Sequence, residues 1–159
     1  METVEEFLAY AVQLEREAAD RFGQLAHAMD ASGNKPVAKL FHKLASFSRL
    51  HLADAERRSG FRDVPKIKPG DFVWPESESP EAAAIWAADP LIGPDEALET
   101  ALVAETAGHD YYASVLDTAT DPEITALAKE FVEEEAEHVA ELKRWISARK
   151  AGQTAPAES

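Results

Sequence analysis

The amino-acid sequence predicts an all-α fold, a four-helix bundle whose two helix pairs are joined by one long crossover. Three observations carry this. Apolar residues recur at helical spacing in four long segments. Capping residues, prolines and glycines mark the segment ends. Most of the nine prolines fall in residues 59–94, between the second and third segments, so that stretch cannot be one long helix.

The first helix is expected to begin at "TVEE", with Thr3 as N-cap and Glu6 at the third helical position. Phe7, Leu8, Ala11, Leu14, Ala18, Phe22 and Leu25 follow on its apolar stripe, and Gly33 in "DASGN" is the stop signal. A second helix starts at Asn34 to Pro36 and runs to about Arg58, before Gly60. In the crossover, "SPEAAAIWAA" fits a short helix capped by Ser79, and "DFVW" carries a faint strand signal. The third long helix is expected from Pro94 to Ala119 and the fourth from Asp121 and Pro122 to Lys150. One domain thus spans residues 1–150, and the small, polar residues 151–159 form a frayed tail.

Composition narrows the function. With 159 residues the chain is long enough for one substantial core. Its formal net charge of -14 disfavours nucleic acid and anionic membrane and attracts cations. The absence of cysteine removes disulfides, thiolate zinc sites, iron–sulfur clusters and cysteine nucleophiles. No leader-like opening and no membrane-length apolar run occur, so the cytoplasm is the expected location.

The two halves of the chain also resemble each other. "LAYAVQLEREAADRF" (8–22) aligns with "LETALVAETAGHDYY" (98–112), matching Glu15 with Glu105. "LASFSRLH" (44–51) aligns with "FVEEEAEH" (131–138), matching His51 with His138. In the last helix Glu135 lies four after Phe131, three after Val132 and seven before Leu142, so it sits on the apolar stripe with His138 one turn on. Glu130, Glu133, Glu134, Glu137 and Glu141 fall to the flanks or the opposite face, where solvation explains them. The same test turns Glu15, Glu105 and His51 inward. A lone inward glutamate is ordinarily explained by an Arg or Lys partner, and a lone core histidine by a hydrogen bond. Three carboxylates and two imidazoles on four helices, related by a repeat, point instead to a metal. Iron, manganese and zinc all suit that donor set.

By "LEREAADRF", "LASFSRLH", "AETAGHDYY" and "EEEAEH", the chain resembles the rubrerythrin-like branch of the ferritin-like di-iron carboxylate proteins, over about residues 4–146 without the crossover. Their pattern is one Glu on each of two helices and Glu-x-x-His on each of the other two. The resemblance implies metal ligands at Glu15, His51, Glu105, Glu135 and His138, with Glu105 and Glu135 as bridges. It also implies iron as cofactor, ferrous oxidation or peroxide reduction as activity, an external electron donor, and a homodimer.

Three departures stand against the pattern. Ser48 replaces the glutamate expected three before His51, and Gly108 stands where rubrerythrins often carry a further glutamate. The cysteine-rich rubredoxin module has no counterpart in a chain without cysteine. Asp54 and His109, each about one turn from the centre, are candidates to complete the coordination, and Tyr112 is a candidate to hydrogen-bond a ligand carboxylate. His27 and His42 are expected at the surface, and Tyr111, Trp74, Trp86 and Trp145 as core or interface aromatics. Two rival readings stay open: a non-catalytic protein that binds a single metal, and a metal-free interaction protein that has lost part of the site.

Overall fold

The computed structural model describes residues 3–60, 62–68, 71–72, 74 and 91–156. It is an all-α four-helix bundle: α1 (Val4–Ala31), α2 (Lys35–Ser59), α3 (Pro94–Thr118) and α4 (Pro122–Lys150). The helix starts follow local chemistry. Thr3, Asn34 and Asp121 each accept a hydrogen bond from a first-turn amide, which satisfies donors that have no partner inside the helix. α3 has no side-chain cap and begins with Pro94 after Gly93. Gly33 adopts φ +83°, a conformation that favours glycine, and turns the chain from α1 into α2.

α1 packs along α2 and α3 along α4, and the two pairs close on a shared interior. That interior has two apolar ends. One is built on Phe22, Leu25, Met29, Phe41, Leu44 and Leu98. The other is built on Phe7, Leu8, Leu14, Tyr112, Phe131 and Trp74. On α1, Leu14 belongs to one end and Phe22 to the other, so the residues between them span a middle layer. That layer is polar.

No strand occurs among the described residues, which include Asp71, Phe72 and Trp74 of "DFVW". Phe72 and Trp74 serve a different purpose. Both meet the Tyr10 ring edge-on, at centroid distances of 4.8 and 5.0 Å, and Trp74 also meets Tyr111 at 5.2 Å. This part of the crossover therefore seals the apolar end formed by α1 and α3. The expected short helix in "SPEAAAIWAA", together with Trp86, lies outside the described residues. No described helix is long and apolar enough to cross a membrane.

Candidate metal centre

The middle layer brings together all five residues that the sequence turned inward. Glu15, Glu105, Glu135 and His138 are buried, and His51 is mostly so. Their helices hold them for the reason read from the periodicity: each replaces an apolar residue on a stripe that faces the bundle axis. The two imidazoles stack at 5.5 Å with nearly parallel rings, and Phe47 covers the outer face of His138 at 6.2 Å.

One member of the layer was not read from the sequence. Arg21 of α1 is completely buried and sets Nη2 2.5 Å from Glu105 Oε1. Its guanidinium also lies over the Phe22 ring, 4.6 Å from the centroid. Burial pulls the Arg21 pKa down, against the charges of Glu105, Glu135 and Glu15, which hold the proton on.

Glu105 is the most strongly supported carboxylate. Oε1 accepts from Arg21, and Oε2 lies 3.1 Å from His138 Nδ1. Burial alone would raise its pKa. Hydrogen bonds from Glu135 and His138, with the Arg21 charge, outweigh burial and hold Glu105 at about 2. Glu135 behaves in the opposite way: burial, then the charge of Glu105, pushes its pKa well above the ordinary carboxylate value. Without a metal this shift favours the protonated form of Glu135. Burial and the Glu105 charge likewise push Glu15 to about 8. Tyr112 donates to Glu15 Oε1 at 3.4 Å, so its carboxylate partner is the α1 ligand candidate.

Other atoms of the layer are different in kind. Glu15 Oε2, Glu135 Oε2, His51 Nδ1 and Ser48 Oγ are buried and have no hydrogen-bond partner among the described residues. Leaving such groups unpaired costs roughly 1–3 kcal/mol each, and more when they are charged. His51 Nδ1 lies 3.9 Å from Glu15 Oε2 and 3.6 Å from Glu134 Oε2. Both separations are too long for hydrogen bonds. They suit two ligands of one ion, since atoms each about 2.1 Å from a metal are at most about 4.2 Å apart.

Glu134 departs from its expected place on a solvated face. It turns its carboxylate to His51, and partial burial, then the charges of Glu130 and Asp54, raise its pKa to about 7. The two candidates for completing the coordination sit elsewhere. Asp54 accepts from Arg57 and Arg58, and His109 pairs with the neighbouring Asp110 at 3.1 Å. His42 pairs with Asp30 on the surface. Gly108 is buried in α3 and offers no ligand atom.

The layer can therefore hold a metal. Glu105, Glu135 and His138 bring one ligand atom each to within 4.8 Å of one another. Carboxylate oxygens with imidazole nitrogens form a donor set that takes iron, manganese or zinc.

No family model and none of the curated proteins searched matches the chain. A solved structure does: that of an uncharacterized conserved protein from Magnetospirillum magnetotacticum MS-1. The two are 35% identical with a TM-score of 0.76, and the match covers 99% of this chain and 98% of the other.

Proposed function

The chain belongs to the same family as the conserved Magnetospirillum protein, and on that premise we propose that it is a ferritin-like, metal-binding protein of the rubrerythrin-like branch, with iron as its metal. The observation that carries this reading is the set of buried ligand atoms with no hydrogen-bond partner among the described residues: Glu15 Oε2, Glu135 Oε2 and His51 Nδ1 all occur in one layer. A stable bundle does not ordinarily retain unpaired polar atoms in its core without a use for them. When bound, iron supplies one-electron chemistry, the basis of the ferrous oxidation or peroxide reduction that the resemblance implies.

The chain's own residues set the conditions for binding. His138 and Arg21 fix the orientation of Glu105 from two sides. Tyr112 steadies Glu15. Glu135 feels the charge of both carboxylates and can hold or release a proton. Glu134, its side chain 27% exposed beside His51, links the layer to solvent and can pass protons outward as a metal enters. Phe7, Phe131 and Tyr112 on one side and Phe22 and Phe41 on the other exclude water. An external electron donor for any turnover is part of the same reading, as the resemblance implies.

The test is chelation. Protein purified with its metal should melt at a lower temperature after exhaustive treatment with a chelator, and ferrous iron should restore the transition. An unchanged transition in both steps would favour the metal-free interaction protein.

A further inference from the structure

We infer that Arg21 takes the place of one metal ion, so that the centre binds a single divalent cation, on the side of His51. This rests on the metal-binding reading above and specifies its stoichiometry.

The charge of the layer carries the inference. The ferritin-like pattern supplies four carboxylates, one per helix, which two divalent cations neutralise. This chain departs from it twice, and in the same sense. Ser48 stands at the position of one carboxylate and removes a negative charge. Arg21, wholly buried, adds a positive one. Three fully buried carboxylates, Glu15, Glu105 and Glu135, then face one guanidinium. The remaining charge matches one divalent ion, and a second would leave buried positive charge uncompensated. Both departures lie in the first half of the repeat. Arg21 and Tyr111 each follow their helix's Glu by six residues, and Ser48 and Glu135 each precede their helix's His by three.

Geometry places the ion. Both oxygens of Glu105 already face donors, Arg21 at 2.5 Å and His138 at 3.1 Å. A metal in the Glu105–Glu135–His138 triad would have to displace one of them. The atoms without hydrogen-bond partners among the described residues are others: Glu15 Oε2, His51 Nδ1 and Glu135 Oε2, with Ser48 Oγ and Glu134 Oε2. The spacings of 3.9 and 3.6 Å around His51 Nδ1 leave room for an ion and call for no displacement of Arg21. Arg21 is thus a positioning residue. It holds Glu105 and determines how many metals the bundle accepts.

The experiment counts metal. Full-length protein is loaded anaerobically with excess ferrous iron, desalted, and its iron measured per chain, for the wild type, Arg21→Lys and Arg21→Ala/Ser48→Glu. The expected contents are about one, about one and about two, since the last variant restores the missing carboxylate and removes the resident cation. A wild type holding about two irons would overturn the inference and leave metal binding intact; a wild type holding none would overturn both. Should the double variant fail to fold, two histidine variants decide. His51→Ala should weaken ferrous binding at least tenfold more than His138→Ala does, and the reverse order would overturn the placement.

Discussion

Replacing Glu105 by Gln tests the polar layer in the absence of any metal. The substitution keeps the shape of the side chain and leaves the Arg21 guanidinium, wholly buried and formerly 2.5 Å from Glu105, without its closest counter-charge. Removing one partner of a buried ion pair costs about 3–5 kcal/mol, because the other charge remains desolvated. Glu135 moderates the loss: it holds a proton mainly because of burial and the Glu105 charge, and with that charge gone it can ionise and pair with Arg21. The lower end, about 3 kcal/mol, is therefore expected. At about 2–4 °C per kcal/mol for a chain of this length, that is roughly 6–12 °C in melting temperature. The assay is thermal and urea unfolding of chelated protein, followed by far-UV circular dichroism. Arg21→Met combined with Glu105→Gln removes both charges and should recover most of the loss. A Glu105→Gln variant within about 1 kcal/mol of the wild type, or strictly additive effects in the double variant, would refute the claim that this pair neutralises the core.

Three further outcomes follow from the same geometry. Metal-free stability should peak near pH 5. Glu15, raised by burial from 4.5 to about 8, contributes stability that is complete below 4.5 and is lost as pH rises through 8, whereas Glu105, held at about 2, contributes stability that is complete above 4.5 and is lost as pH falls toward 2; melting curves of chelated protein across pH 3–9 check this, and a flat profile from pH 5 to 8 would contradict it. Ser48→Glu should tighten ferrous binding and lower metal-free stability, since it adds a fourth carboxylate where a buried hydroxyl has no partner; calorimetric titration with weaker binding would count against the placement of α2. Trp74→Ala should cost about 3 kcal/mol by uncovering Tyr10 and Tyr111 while leaving iron content unchanged, which separates the crossover's packing from the metal layer.

Much of this molecule was legible in its sequence, for identifiable reasons. Helix boundaries were readable because Thr3, Asn34, Gly33 and Asp121 act locally, each on amides or dihedrals within a turn. The inward glutamates were readable because each is in phase with an apolar stripe and Glu15 and Glu105 match across the repeat. Arg21 satisfied the same test: Leu14, Ala18, Arg21 and Leu25 are spaced by four, three and four. It was passed over because a charged residue between two apolar ones is ordinarily solvated, and its partner Glu105 is 84 residues away in sequence. Glu134 was misplaced because residues in an acidic run differ by about 100° per step on a helix, and the boundary between inward and flanking depends on how α2 packs. Asp54 is held back for a local reason, since Arg57 and Arg58 on its own helix take both of its oxygens. The role of Trp74 could not be read at all, because an aperiodic crossover carries no signal of what it covers.

The central claim, that this layer exists to hold a metal, is tested most directly by the iron content of the wild type and of Glu135→Ala after anaerobic ferrous loading. Glu135 offers a ligand atom within 4.8 Å of those of Glu105 and His138, and its Oε2 has no hydrogen-bond partner among the described residues, so it is the carboxylate whose loss should tell most. The account predicts iron retained through desalting by the wild type and lost from the folded variant. Iron absent from both, or retained equally by both, would contradict it.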